Sequence, residues 1–187
     1  MFKKFALVAV AALALCSQAQ ASSVSINFDD TGITSTVGSF YNGANAATNY
    51  GVGFDGFDVA FGFGESSAPN LAYVSGLQGT IDVAAGFTSV AFTYGNFTAG
   101  SYSVYSGLDG TGTLLGTATY LGDPFEFQAG SVAFSGLAHS LVLDAAGVAQ
   151  MGIDDLVLTS AVPEPGSLGL MLAGLAVVGA TVRRRKA

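Results

Sequence analysis

Between Ser22 and Ala161 the chain has no lysine and no arginine, yet this stretch carries twelve of the protein's thirteen acidic residues. A fold built from it has no Lys or Arg to pair with a carboxylate. Any aspartate that folding buries must find backbone N–H groups, hydroxyls, water or a metal ion, because an unpaired buried charge is strongly unfavourable. The same imbalance excludes nucleic acid as a partner, since that affinity comes from Lys and Arg neutralising phosphates. The stretch is nonetheless rich in Phe, Tyr, Val, Leu and Ala, enough to bury a core rather than remain a self-repelling coil. Its 140 residues suit one domain.

All six basic residues lie in the two ends. Residues 1–21 start with Lys3 and Lys4, continue through the apolar run Phe5 to Leu15 and finish at Ala19-Gln20-Ala21. This is the layout of a secretory signal peptide, with small side chains at Ala19 and Ala21 for signal peptidase and the cut between Ala21 and Ser22. An uncleaved anchor is the alternative, but the apolar run is too short to cross a hydrocarbon layer about 30 Å thick. Cys16 follows Leu15, where a lipoprotein signal wants a smaller residue. Once the leader is removed the mature chain has no cysteine, which excludes disulfides, thiolate metal sites and a Cys nucleophile.

The other end has three parts: Val162-Pro163-Glu164-Pro165, the uncharged run 166–182, and the basic cluster Arg183, Arg184, Arg185 and Lys186. As a helix the run reaches about 25 Å, near the lower limit for spanning a bilayer. The basic cluster holds its end in the cytoplasm, which places the acidic domain outside. Pro163 and Pro165 keep the junction extended, a form that a protease can grip. This order of parts resembles the PEP-CTERM sorting signal of exosortase substrates. The resemblance implies an exported protein of the cell envelope or extracellular matrix of a Gram-negative-type bacterium, often one that makes exopolysaccharide. It also implies inner-membrane anchoring before processing by a membrane-embedded exosortase. Glu164 and its prolines would then be recognition residues in another enzyme's substrate. A plain C-terminal anchor is the alternative.

In the middle, apolar and small polar residues alternate over short runs broken by Gly, Asn, Asp and Pro, which is a strand rhythm. Val24, Ile26 and Phe28 share one face, as do Val90, Phe92 and Tyr94. Phe125 with Phe127, Val132 with Phe134, and Leu141 with Leu143 repeat the pattern, and Ile81 with Val83, Tyr102 with Val104, 114–120 and 153–158 complete nine or ten strands. No segment has a convincing helical period. The expected fold is all-β, a jelly-roll-like β-sandwich over residues 22–161, followed by the sorting signal over 162–187. No strand register is assigned to the Gly-rich, aromatic stretch 45–64. Phe28-Asp29-Asp30 and 152–156 also resemble, loosely, the β-sandwich ectodomains attached to PEP-CTERM tails.

Several motifs favour structural readings. Gly51-Val52-Gly53-Phe54-Asp55-Gly56 spells a dinucleotide loop but is followed by a strand pattern instead of a helix, so turns or bulges are expected. Asp109-Gly110 reads as a hairpin turn. The segment 64–68 misses a nucleophile elbow at its last residue. His139, the only histidine, heads an apolar strand and is read as structural. Asn96-Phe97-Thr98 spells a glycosylation acceptor of little weight in a bacterial chain.

The aspartate pairs Asp29-Asp30 and Asp154-Asp155 flank the first and last strands. Alternation turns one member of each pair inward, and first and last strands are often neighbours. With no cationic side chain to hand, backbone donors, water or Ca²⁺ must serve, and the four aspartates are the candidate calcium ligands. Three functions then compete. The first is a non-catalytic surface or matrix protein. The second is a Ca-dependent carbohydrate-binding module that contacts polysaccharide through tyrosines 41, 50, 73, 94, 102, 105 and 120. The third is a two-carboxylate glycoside hydrolase or lyase, for which so small a sandwich has little room. The first is preferred, and the protein is read as no enzyme.

Overall fold

A computed structural model describes residues 21–160 apart from 33–34, 45–46, 62–66, 97 and 146–150. The leader up to residue 20 and the tail from 161 onward, with the processing and sorting residues they hold, lie outside the described residues. So do residues 64–66 of the near-miss elbow.

Among the described residues the alternation pattern becomes eleven strands: β1 (Ser23–Ile26), β2 (Val52–Asp55), β3 (Phe57–Phe61), β4 (Asn70–Val74), β5 (Gln78–Phe87), β6 (Ser89–Asn96), β7 (Gly100–Tyr105), β8 (Leu114–Tyr120), β9 (Asp123–Ser131), β10 (Ala138–Asp144) and β11 (Gly152–Thr159). Among the described residues there is no helix long and apolar enough to cross a membrane. One sheet runs β3-β4-β11-β6-β9, with β1 also on β11; the other runs β2-β5-β10-β7-β8. The antiparallel pairs β4–β11, β5–β10, β6–β9 and β7–β8 are successive rungs of one long hairpin. The rungs alternate between the two sheets, which makes the sandwich a jelly roll.

Alternation places the core between the sheets. From the first sheet come Ile26, Val90, Phe92, Ile153, Leu156 and Leu158; from the second come Ile81, Val83, Tyr102, Val104, Leu141 and Leu143, all buried. Phe125 and Phe127 lie on a strand as expected, but the register sets Gly130 opposite Phe92 and Gln128 opposite Tyr94. Those are the inward positions, so Phe127 faces away from the core and lies over Gly95 and Gly152, where a Cβ would meet its ring. The first strand stops at Ile26. Phe28 takes a left-handed φ of 61° and closes a turn in which the Thr31 N–H donates to its carbonyl. Its ring still enters the core, edge-on to Tyr41 and Phe54.

The glycine-rich stretch holds two strands that belong to different sheets. Gly56, at φ 74°, turns the chain from β2 directly into β3, and Phe54 and Phe57 meet edge-to-face at 5.6 Å across the turn. A Cβ at Gly56 would stand 2.7 Å from the Gln78 carbonyl oxygen. Gly56→Ala is expected to cost about 2 kcal/mol, combining a left-handed backbone with a backbone clash. In urea this would read as a lower midpoint at unchanged slope.

The long connection between β1 and β2 protects two sheet edges. Along β3, Val59 N–H donates to the Ser35 carbonyl and Val37 N–H to the Phe57 carbonyl. Along β2, Phe54 N–H donates to the Gly38 carbonyl and Val52 N–H to the Tyr41 carbonyl. Covering edges in this way removes templates for pairing with another chain.

Candidate functional site

β1 pairs with β11 in the register Ile26 to Leu156, so the two aspartate pairs are brought to one neighbourhood, as the sequence suggested. Both pairs reach the same short segment. Asp154 accepts hydrogen bonds from the Ser67 N–H at 3.0 Å and the Ser67 hydroxyl at 2.9 Å. Asp29 accepts from the Asn70 N–H at 2.9 Å. Asn27 Nδ2 donates to the other oxygen of Asp29, and Asp30 accepts from the Tyr41 hydroxyl at 2.6 Å. The Asn70 amide is itself fixed by the Thr31 carbonyl.

Asp154 is completely buried. Alternation from Ile153 turns it away from the second sheet, so it is buried beneath the Ser67 segment rather than between the sheets. Next to it the strand bulges: Asp154 opposes Thr93 and Val157 opposes Ala91, with Asp155 at φ 48° between them. The bulge turns the Asp155 N–H onto Asp154 Oδ1 at 2.8 Å. Burial pushes the Asp154 carboxyl above the usual carboxylate range, although the Ser67 and Asp155 donors pull it back.

Among the described residues no three His, Cys, Asp or Glu side chains come together where they could hold a metal ion. N–H and O–H donors from Ser67, Asn70, Tyr41 and the bulge reach Asp154, Asp29 and Asp30, the role that Lys and Arg would otherwise take. None of these partners was legible in the sequence, since Ser67 and Asp154 are 87 residues apart.

A second carboxylate centre lies on the other sheet. The Asp109 N–H donates to Asp82 Oδ1 at 2.8 Å. Burial, together with Asp109 and Asp55 nearby, raises the Asp82 carboxyl above its ordinary range. Asp109 and Gly110 both have positive φ, and the Thr111 N–H closes the turn on the Leu108 carbonyl. This is the hairpin turn the sequence indicates. His139 Nδ1 lies 3.2 Å from the Val83 carbonyl, in a structural setting. Of the G-x-G-x-x-G residues, Gly51 and Gly56 occupy positive-φ turns and Gly53 lies in β2. Asn96 is buried at the end of β6 and faces inward.

The tyrosines are mostly not a stacking surface. Tyr41, Tyr94, Tyr102 and Tyr120 are buried, and Tyr102 stacks on Tyr120 inside the core at 6.1 Å. Burial is the main cause that pushes the Tyr120 hydroxyl up to about 12. Tyr50 is 40% exposed. Among the described residues an open groove of about 420 Å³ is lined by Gly32, Ser35, Thr36, Val37, Ser39 and Phe40, within the β1–β2 connection. Of its lining residues, Thr36 donates its hydroxyl to Asp58 at 3.0 Å. Sequence reading missed this groove because no local pattern marks a loop wall.

The PEP-CTERM protein-sorting motif matches residues 161–186. No curated protein matches the chain. Among solved structures, the chain is similar to a family 29 carbohydrate-binding module, with 11% identity over 75% of this chain and 89% of that one and a TM-score of 0.46. A family 6 carbohydrate-binding module gives 15% identity over 74% and 94%, with a TM-score of 0.42. A glycoside hydrolase family 43 arabinoxylan arabinofuranohydrolase from Bacillus subtilis gives 16% identity and a TM-score of 0.44. There the match covers 56% of this chain and spans about a quarter, 24%, of that enzyme. The strand order by itself carries the jelly-roll assignment.

Proposed function

We propose that this chain is an exported, exosortase-processed protein of the cell surface or exopolysaccharide matrix, displaying a non-catalytic jelly-roll domain. The single observation that supports this most is the sorting motif at 161–186, which begins immediately after the last strand-bound residue, Ser160. The motif marks the chain for export and for C-terminal anchoring before processing. Signal peptidase and exosortase are its processing partners, and polysaccharide is the surrounding it is sorted into. Intact-mass measurement of envelope and medium fractions tests the reading. With an active exosortase, the tail containing Arg183 to Lys186 should be missing from the mature protein. Glu164→Ala is expected to leave most of the chain full length and membrane-bound. A native chain that keeps its whole tail beside an active exosortase overturns the proposal.

A second reading, a Ca-dependent carbohydrate-binding module, is favoured by the groove beside Phe40, whose hydroxyls and ring suit a sugar. It requires a calcium-specific rise in melting temperature at fixed ionic strength, lost in Asp155→Ala. It also requires glycan binding that is lost in Phe40→Ala. If magnesium and calcium act alike and no glycan binds, this second reading is excluded.

A further inference from the structure

We propose that the outer edge of β8 is a homotypic docking surface. A second copy of this chain adds its own β8 there, antiparallel about a two-fold axis, and the two β2-β5-β10-β7-β8 sheets become one continuous sheet. Pairing at this edge does not depend on how the tail is processed.

Among the described residues, five strands have a side that no other strand of their sheet occupies: β1, β3 and β9 in the first sheet, β2 and β8 in the second. Such a side offers a row of N–H and C=O groups to another chain, and it is commonly blunted by brevity, cover, charge or proline. β1 has only four residues. The β1–β2 connection bonds along β2 and β3. β9 contains Pro124, which has no N–H, together with Asp123 and Glu126. β8 has none of these protections. Leu114 to Tyr120 contain no charge and no proline, and β7 is the strand's one partner. Among the described residues no backbone hydrogen bond reaches its other side. A bulge at Leu115 interrupts only the start, and Gly116 to Tyr120 run in unbroken register against Val104 to Gly100.

The edge is exposed as well as unbonded. Thr117 and Thr119 are exposed, and so is Leu114. Tyr102 and Val104 point into the core, so the register sets Thr117 opposite Ser103 and Thr119 opposite Ser101 on the outer face. The Ser103 and Thr117 hydroxyls meet at 3.0 Å, a cross-strand pair of the kind that stabilises neighbouring strands. A second β8 would continue this hydroxyl ladder with the same residues. Charge selects the second copy as the occupant. Asp109 in the turn before β8 and Asp123 after it flank the strand, whereas residues 114–120 and the neighbouring 100–105 carry no charge. A basic partner is drawn to the carboxylates elsewhere on the domain, and an acidic one is repelled by them. An uncharged edge meets its own copy with no like charges directly opposed, which suits a two-fold contact in which the same patch faces itself. The twelve carboxylates of each domain still repel at longer range, so salt that screens them should favour the pair.

The chain from Ser22 to Ala187 has no cysteine, so single nitroxide labels can be placed on it in detergent. One label is put at Ser103→Cys, one strand in from the edge, and another at Phe61→Cys on β3, at the far side of the sandwich. Paired β8 edges set Ser103 three strand spacings from its copy, about 15 Å between backbones, and the Phe61 positions about 40 Å or more apart. Dipolar spectroscopy is expected to give a short distance at Ser103 alone, lost on dilution with unlabelled chain. Its absence, or an equally short distance at Phe61, overturns the proposal. Copies held together only through the apolar tail would give no short Ser103 distance and overturn it too. Thr117→Glu with Thr119→Glu sets like charges across the pair and should lower the short-distance fraction several-fold at unchanged melting temperature. An unchanged fraction in the folded variant overturns the proposal, and the two labels on the native edge decide the matter if that variant does not fold. The fraction should also rise with added salt, and a fall would overturn pairing at an uncharged edge.

Discussion

The Ser22–Ala161 domain should melt at a higher temperature at pH 4.5 than at pH 7.5, the reverse of the usual acid response. Asp154 and Asp82 both have carboxyls raised above the ordinary value of 3.8, in each case chiefly by burial. A raised carboxyl binds its proton more tightly in the folded state than in the unfolded one, so stability falls as pH rises from the unfolded value through the raised folded one. Acidification through that window regains the lost stability. In most domains the opposite occurs, because carboxylates paired with Lys or Arg have lowered values and lose their partners in acid. Here there are no such pairs to lose between Ser22 and Ala161. Protonation also relieves the mutual repulsion of about twelve carboxylates. A gain of several degrees is expected by calorimetry at constant ionic strength. A melting temperature that falls steadily from pH 7.5 to 4.5 would show that the carboxylates are held by stronger donors than those described.

Asp154→Ala is the substitution expected to cost most among the acidic residues. It strands the Ser67 N–H, the Ser67 hydroxyl and the Asp155 N–H, all of which donate to one buried carboxylate. Losing the acceptor of such a group costs about 3 kcal/mol, with hydrogen bonds to a charged partner at the upper end of the usual range. The loss corresponds to roughly 10 °C in melting temperature for a domain of this size. Asp154→Asn keeps one carbonyl acceptor and should recover about half of the loss. Asp30→Ala is the control. Its carboxylate is exposed and takes one hydrogen bond from Tyr41, so a change of less than about 1 kcal/mol is expected. Equal effects at positions 30 and 154 would show that burial of Asp154 does not set its importance.

The strands were legible wherever alternation was clean. Val90, Phe92 and Tyr94, or Leu141 and Leu143, point inward because a period of two has only one apolar face to bury. The pattern failed where one strand's partner has no side chain to compete for space. Phe127 reads like a core residue, but Gly95 and Gly152 on the neighbouring strands leave room for its ring on the outer face. It also failed at Asp55-Gly56, where a single left-handed glycine separates strands of different sheets and a local window sees one irregular run. The aspartate pairs stand out in the sequence as groups that need partners. Which partners they take depended on the crossing of a loop 41 residues from Asp29 and 87 from Asp154.

What the sequence determined by itself is of the kind that other machinery or the backbone reads locally. A contiguous tail of Pro-Glu-Pro, apolar run and basic cluster is a signal in linear form, and alternation specifies strands because side-chain direction follows from the next residue or two. The absence of lysine and arginine likewise set the electrostatic problem without any structure. Only the tertiary structure decided how that problem is solved, with Ser67, Asn70, Tyr41 and a bulge at Asp155 standing in for cations. Those outcomes depend on which strands lie side by side. Neighbours such as β1 and β11, β4 and β11 or β5 and β10 come from distant parts of the chain, so no short stretch of sequence contains them.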